Sequence, residues 1–222
     1  VPHALETALN NLQSNNADMV TYGWKKIDAG KNRTDDVREE EAVLEDIPSV
    51  IRDILGHYSA WGGGYPWNKL WRRDVFDGAV PQFDPALYYF EDLEWVIRML
   101  LRIRRVAVCP ACLYHYYIRE TSTTHAPEKA ERRELGYHAS IEKIIENLSG
   151  LPEIQDWFSR KYYPEIVNGV LFSVKNRFPL LRKDLLNKME MAGRKILHAE
   201  NISPSIKTRY VILHLLARMR LL

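Results

Sequence analysis

Apolar residues recur every three or four positions in several stretches of the chain, which is the spacing of a helix with one apolar side. The first such stretch covers residues 2–15 and places Leu5, Leu9 and Leu12 on one side. A second begins near Glu91 and runs to about Ile103. We therefore predict helices over both stretches.

Two other stretches alternate and are rich in β-branched and aromatic residues, which is typical of strands. They cover residues 17–27 and 105–118, and Pro110 should kink the second because proline cannot donate a hydrogen bond to a sheet. The polar residues that follow the first strand predict either an exposed loop or the end of a hairpin.

Between these elements the pattern is less regular. Residues 43–55 predict a short helix that Pro48 breaks. Three consecutive glycines at 62–64 fit neither a regular helix nor a strand. They predict a flexible loop flanked by aromatic residues.

The pattern changes after Pro127, where only helical periodicity is found. Proline-containing breaks separate the helical stretches. These stretches are residues 128–148, 154–176, 180–198 and 206–222. The sequence thus predicts a mixed α/β part over residues 1–125 and an all-helical part over residues 126–222.

The distribution of charge adds to this picture. The chain has 222 residues and a net charge of only +2, but from Trp157 onward 13 lysines and arginines stand against four acids. A basic tail predicts an anionic neighbour, either a membrane surface or a nucleic acid. Since no nucleic-acid-binding motif is found, we expect no nucleic-acid partner. The last predicted helix fits either a membrane surface or an ordinary bundle.

The chain contains no uninterrupted apolar stretch of membrane-spanning length and no signal peptide at its start. With only two cysteines, these features predict a cytoplasmic protein. The basic tail would make it peripheral on the inner membrane face.

Glu91 and Asp92 follow a group of aromatic residues and open a predicted helix. One interpretation is structural, because acids in the first turn offset the helix dipole and bond free amides. The other is chemical: aromatic walls would desolvate one carboxylate and raise its pKa, as a general base requires. Adjacent helical residues point about 100° apart, so only one of the two can face a given substrate.

The Cys-Pro-Ala-Cys segment, Cys109 to Cys112, resembles a redox pair, but it lies in a predicted strand and not at a helix start. A half zinc site with His115 and His125 lacks a second pair of cysteines. We predict that both cysteines are buried in the strand and that His115 packs in the core.

Two further segments have a chemical interpretation. Residues 119–125, which include Arg119, Ser122 and His125, combine a guanidinium, hydroxyls and an imidazole that suit a phosphate or metal–phosphate group, although a solvated loop has the same composition. The aromatic residues beside the glycines suit stacking on a sugar, or else a hydrophobic plug.

The order of these motifs resembles a known family. The blocks are Trp-Asn-Lys-Leu-Trp-Arg-Arg from Trp67, Glu-Asp-Leu-Glu-Trp from Glu91, Leu-Tyr-His-Tyr-Tyr-Ile-Arg from Leu113, and the Ser/Thr loop after it. Residues 1–125 resemble the downstream half of a bacterial family 2 glycosyltransferase with the GT-A fold. The resemblance implies a partial GT-A-type mixed sheet with flanking helices, followed by the all-helical part.

The resemblance also implies residue roles. Asp92 would be the catalytic base that deprotonates an acceptor hydroxyl for inverting attack on the anomeric carbon, with Glu91 as its support. The remaining positions divide between acceptor, donor diphosphate and metal. They are Trp61, Trp67, Lys69 and Tyr89 for the acceptor, Arg119 and Ser122 for the diphosphate, and His125 for the metal.

One part of the family pattern is absent. The Asp-x-Asp-type motif that holds the metal in this family should just precede a helix like that of residues 2–15, and no such motif occurs at a suitable place. We therefore expect a fragment that lacks the nucleotide-binding half and that is inactive by itself.

The resemblance implies that the intact enzyme uses a nucleotide-sugar donor, which we expect to be UDP-linked, together with Mn²⁺ or Mg²⁺. The acceptor would be a glycan or a lipid-linked molecule. The alternative is a non-catalytic module that binds a glycan or partner, or that docks on a membrane.

Overall fold

The computed structural model describes residues 1–28, 33–37, 39–76, 79–118, 129–219 and 221. The chain divides into two compact units, Val1–Ala126 and Pro127–Leu222. The first unit combines helices with a sheet, and the described residues of the second form helices only. The predicted mixed α/β class is therefore confirmed.

The described part of the first unit holds three α-helices and five strands. In chain order they are α1 (Ala4–Ser14), β1 (Met19–Asp28), β2 (Arg33–Val37), β3 (Ala42–Leu44), α2 (Ile47–Gly56), β4 (Lys69–Trp71), α3 (Glu91–Leu100) and β5 (Val106–Tyr117). The sheet order is β2-β1-β5-β3, and β4 pairs with β1. β1 and β5 are parallel, whereas the other pairs are antiparallel.

Of the two alternatives for the residues after the first strand, the structure shows the hairpin, and the predicted kink of the later strand is confirmed. β1 and β2 form an antiparallel pair. In the β1–β5 pair, Tyr22 lies opposite Cys109 and Gly23 opposite Cys112, so the register skips Pro110 and its neighbour. Because proline lacks an N–H group, it has no ladder hydrogen bond to donate, and a bulge at this position accommodates it.

Helix α1 packs on the sheet, but not with the side that the leucine spacing indicates. Ala8 and Leu12 are buried in a cluster with residues of β1 and β5, whereas Leu5 and Leu9 are 75% and 44% exposed. The predicted helix is confirmed, but of its three leucines Leu12 alone is buried, since Ala4 and Ala8 pack against the sheet beside it.

The helix predicted over residues 43–55 is confirmed from Ile47 onward, but its predicted start and its break at Pro48 were wrong. β3 ends at Leu44, and α2 begins at Ile47 with Pro48 in its first turn, where a missing N–H costs nothing. The Asp46 carboxylate caps this helix by accepting from the amide of Ser49 at 3.2 Å. Pro48 therefore starts the helix and does not break it.

The second unit consists of four long helices and a short 3-10 turn between the first two. The helices are α4 (Ala130–Asn147), α5 (Pro152–Lys175), α6 (Pro179–His198) and α7 (Pro204–Arg218). Proline lies in the first turn of α5, α6 and α7, as the sequence breaks predict. Among the described residues, no helix is both long enough and apolar enough to cross a membrane.

Candidate functional site

A cleft of about 450 Å³ opens at the start of α3 in the first unit. Its walls are mainly aromatic, and two carboxylates, Glu91 and Asp92, lie among them. The lining residues are Tyr58, Gly64, Tyr65, Trp67, Tyr88, Tyr89, Phe90, Glu91, Asp92, Leu93 and Tyr116. The volume and the apolar walls with few polar groups are typical of a small-molecule site.

The backbone at Phe90 determines how the helix enters the cleft. Phe90 precedes α3 with φ of 64° and ψ of 15°, a left-handed conformation that costs a phenylalanine about 1 kcal/mol or more. Its carbonyl accepts from the amide of Glu94 at 3.1 Å and so begins the helix. This arrangement puts the phenyl ring and the two acids at the same cleft.

The contacts of Asp92 fit both the structural and the chemical interpretation of this carboxylate. Its Oδ1 accepts from the amide of Leu93 at 2.8 Å, which is a structural role at the helix start. The same side chain lines the cleft. Burial raises the pKa of Asp92 above its ordinary value, and the charge of Glu91 raises it further. The Leu93 amide and Lys69 act in the opposite direction.

The aromatic wall of the cleft is built around Trp67. Its ring stacks on Tyr65, Tyr114 and Tyr116, with ring centroids 5.0, 4.6 and 5.5 Å apart. Trp24 packs edge-on against it at 5.3 Å, and the Tyr22 hydroxyl donates to the Trp67 carbonyl at 3.0 Å. These contacts hold the indole in one position, as a stacking surface requires.

Lys69 lies behind this wall and does not line the cleft. It is 6% exposed, and its Nζ donates to the carbonyls of Gly62, Gly63 and Tyr65 at 3.1, 2.8 and 2.9 Å. Asn68 Oδ1 is a fourth acceptor at 3.0 Å. One ammonium group thus binds three carbonyls of the glycine loop, and the flexibility of this loop stays a prediction.

Burial lowers the pKa of Lys69 to about 7, and the charge of Asp92 opposes this shift. The four oxygen atoms around Nζ also favour the ammonium form, since a neutral amine would turn a lone pair toward one of them. Lys69 therefore supports the cleft from behind and lies close enough to Asp92 to influence its charge.

The loop in turn sets the position of α3. A side chain at Gly64 would place its Cβ 2.5 Å from Leu93 Cδ1 and 3.1 Å from Leu93 Cα. Only glycine allows the loop to approach the residue beside Asp92 this closely. The distance between Trp67 on the loop and the carboxylates on α3 depends on that contact.

Trp61 and Tyr89 were both predicted to bind the acceptor, and the structure separates them. Tyr89 lines the cleft and packs on Phe90 with ring centroids 5.3 Å apart. Trp61 does not line it, and its indole N–H donates to Asp53 Oδ2 at 2.9 Å. The cleft thus brings together Trp67, Tyr89, Glu91 and Asp92.

Sequence reasoning missed an ion pair that shapes one wall of the cleft. Glu94 is 1% exposed, and Arg98 Nε donates to its Oε1 at 2.5 Å. Arg98 also donates to the carbonyl of Gln82 at 2.8 Å, and Trp95 Nε1 donates to that of Pro81 at 2.7 Å. These bonds fix the segment that leads to Tyr88, Tyr89 and Phe90. The four-residue spacing of Glu94 and Arg98 was a signal that could have revealed the pair.

The cysteines and His115 do not line the cleft. Cys109 is buried in the core beneath α1, and the half-buried Cys112 thiol donates weakly to the Trp24 carbonyl at 3.7 Å. Both are free thiols, and the prediction of buried strand cysteines is confirmed for Cys109. His115 is exposed, so its predicted place in the core was wrong. It lies near the end of β5, beyond the part that α1 covers.

Arg119, Ser122 and His125, predicted for the donor diphosphate and the metal, lie outside the described residues. Within the described ranges, no three histidine, cysteine, aspartate or glutamate side chains gather in a way that could hold a metal ion. Glu91 and Asp92 therefore do not fit a metal site by themselves.

The cleft can seat a neutral ring between aromatic faces, with a carboxylate of raised pKa beside a hydroxyl of that ring. Such a carboxylate can take a proton as the hydroxyl oxygen attacks.

Comparison of the chain with family models and with curated proteins finds no match.

Proposed function

We propose that this chain carries the acceptor side of an inverting glycosyltransferase of family 2, within a GT-A-type domain. The observation that supports this most is the half-buried Asp92 at the start of α3, with its raised pKa, in a cleft walled by stacked aromatic rings. Aromatic faces bind the apolar faces of sugars, and a carboxylate at the rim can act on a sugar hydroxyl.

In the proposed reaction, the Asp92 carboxylate accepts the proton of an acceptor hydroxyl. The acceptor oxygen forms a bond to the anomeric carbon of the donor sugar, and the bond from that carbon to the diphosphate oxygen breaks. The electron pair leaves with the nucleoside diphosphate, and the configuration at carbon is inverted. Glu91 supports Asp92 by keeping its pKa raised.

The donor would be a nucleotide sugar, UDP-linked by preference, and the acceptor a glycan or a lipid-linked glycan. A divalent ion, Mn²⁺ or Mg²⁺, would offset the charge of the diphosphate in the intact enzyme. Since the described acids do not fit a metal site, its ligands would come from other residues. Arg119, Ser122 and His125 remain proposed ligands of the diphosphate and the metal.

The test combines binding and turnover. UDP and several UDP-sugars are titrated calorimetrically with Mn²⁺ into this chain and into the same chain extended upstream by the family's nucleotide-binding half. Binding by the extended protein, with release of UDP on addition of an acceptor, would support the proposal. Binding by neither, with the extended protein folded, would contradict it in favour of a non-catalytic module.

Variants of the extended protein separate catalysis from binding. Asp92→Asn should lower turnover about 10³-fold or more while the affinity for donor stays within about twofold, because the amide cannot accept the proton. Asp84→Asn is the matched control, since its carboxylate also accepts one backbone amide at 2.9 Å but does not line the cleft. Equal turnover of the Asp92→Asn and Asp84→Asn proteins would remove Asp92 from the mechanism.

A further inference from the structure

Helix α7 carries a stripe of exposed apolar side chains. Val211, Leu215 and Met219 follow one another at intervals of four residues, and they are 43%, 54% and 60% exposed. Ile212 lies beside them and is 51% exposed. On a helix with 3.6 residues per turn, these four side chains form one continuous strip.

The opposite side of α7 already has its partners. Ile206, Tyr210 and Leu213 are buried, and the Tyr210 hydroxyl lies where a side chain at Gly193 of α6 would stand. The helix is therefore anchored within its unit by one side only. The exposed stripe is additional to what the fold of the unit requires.

The charged residues of α7 itself are all basic. α7 contains no acidic residue. At 100° per residue, Lys207 and Arg218 fall along one edge of the stripe, and Arg209 falls beyond the other. Arg209 donates to Asn168 Oδ1 at 2.9 Å, which holds its guanidinium near the helix and leaves its charge in place. Long basic side chains beside an apolar strip can extend toward an anionic surface.

Another exposed apolar strip in the chain serves as a comparison. On α1 and just before it, Val1, Leu5 and Leu9 are 52%, 75% and 44% exposed. The charged residue within α1 is Glu6, and this helix has no lysine or arginine. Both strips expose leucine, but basic residues accompany the α7 strip alone. An anionic partner that also binds apolar side chains would therefore bind α7 in preference to α1.

We propose that the outer face of α7 binds the surface of an anionic phospholipid bilayer, with the helix axis parallel to that surface. Apolar side chains would enter the boundary between headgroups and acyl chains, and the basic residues would contact lipid phosphates. The proposal concerns the helical unit and is independent of sugar transfer in the first unit. If sugar transfer also holds, it places the cleft on a protein held at the membrane surface.

The test is co-sedimentation of the whole chain with vesicles. The expected result is binding to phosphatidylcholine vesicles that contain about one quarter phosphatidylglycerol, with little binding to phosphatidylcholine alone. Raising the salt from about 50 mM to about 500 mM should weaken the binding about tenfold or more, because the surface charges are screened. Equal binding to both kinds of vesicle would overturn the proposal.

Leu215→Glu should weaken binding to the anionic vesicles about tenfold or more, while Leu5→Glu leaves it unchanged. Both variants replace an exposed leucine on a helix, so a comparable melting temperature is expected for both. As a second variant, Lys207→Gln with Arg218→Gln keeps the apolar strip and should reduce the salt dependence.

Two outcomes would overturn the assignment of α7. One is an equal loss of binding in the Leu5→Glu and Leu215→Glu proteins. The other is absence of vesicle binding in the unmodified chain, together with self-association in sedimentation velocity that Leu215→Glu abolishes. In the second case the stripe would be an interface between two copies of this chain.

Discussion

Asp92 illustrates at the scale of one residue how the burial of a charge costs stability. Removing a carboxylate from water raises its pKa and destabilises the folded protein whenever the group is ionised. The single amide bond from Leu93 offsets part of this cost. A carboxylate that only caps a helix can do so at the surface, without this cost of burial.

Asp92→Asn should therefore stabilise this chain at pH 7, with a melting temperature about 2 °C higher. The folded-state pKa of Asp92 is raised. Above that pKa the buried carboxylate is charged and lowers the stability of the unmodified protein, and protonation removes this loss of stability. The gain should shrink as the pH falls through the raised pKa and vanish below the ordinary range of aspartate. Calorimetry of both proteins between about pH 7 and pH 4 measures it.

Asp84→Asn again gives the comparison, because Asp84 accepts one amide bond from Ala86 but lies outside the cleft. We expect no gain in stability from it. A loss of stability in the Asp92→Asn protein at pH 7 would show that the carboxylate is a structural cap and not a group held under strain.

The residue scale is also where the sequence was least informative. The acids before α3 and the aromatic block were recognisable, and the structure brings Trp67, Tyr89 and Asp92 to one cleft. Lys69 and Trp61 come from the same stretch of sequence but do not line the cleft. Their directions depend on carbonyls and an aspartate that the fold brings close, and spacing along the chain does not encode this.

At the scale of elements, the long periodic stretches of the second unit and the prolines at their starts were reliable guides, whereas Pro48 in the first unit was not. The helices of the second unit begin within two residues of the predicted starts, because proline in the first turn marks three of them. β3 was missed since three residues are too few to show a period. Its place as a strand depends on pairing with β5, which is a tertiary contact.

The Glu94–Arg98 pair of α3 gives a prediction at this scale. Arg98→Met keeps an unbranched side chain but removes the two hydrogen bonds and the positive charge that Arg98 supplies to the buried Glu94 carboxylate. The free energy of unfolding should fall by about 3 kcal/mol. The segment that leads to Tyr88–Phe90 should also loosen, because the bond to the Gln82 carbonyl is lost. Urea denaturation measures the first effect and limited proteolysis the second.

The Asp156–Arg160 pair of α5 is a matched control, with the same spacing and an N–O distance of 2.7 Å, but with exposed side chains. Arg160→Met should cost about 0.5 kcal/mol or less. The double variant Glu94→Leu with Arg98→Met should regain most of the lost stability. Equal losses from Arg98→Met and Arg160→Met would mean that burial does not strengthen the first pair.

The two units of the whole molecule respond to acid through different groups. In the first unit, protonation of Asp92 relieves a cost of burial. In the second, His138 is 3% exposed, and its Nδ1 lies 2.6 Å from the Tyr162 hydroxyl. Burial, helped by the charge of Lys188, lowers the pKa of His138 to about 4. Acid therefore destabilises the helical unit, because the buried His138 takes up a proton more readily when that unit unfolds.

The chain should accordingly lose its second unit first as the pH falls. His138 is neutral in the folded protein and takes up a proton when the protein unfolds. The free energy of unfolding should therefore fall as the pH drops from about 6.5 to about 4, by about 3 kcal/mol in all. Helical ellipticity reports mainly on α4 to α7, and tryptophan emission mainly on the first unit, which holds all the tryptophans except Trp157. Ellipticity should fall at a higher pH than the one at which the emission shifts.

His138→Gln removes the titrating group and keeps a polar side chain beside Tyr162, so the loss of ellipticity should move to lower pH. His198→Gln replaces an exposed histidine in the last turn of α6 and should leave the midpoint unchanged. Coincident transitions, or a midpoint that His138→Gln does not move, would contradict the prediction. Separate transitions would mean that each unit keeps its own stability, because Asp92 and His138 belong to different units.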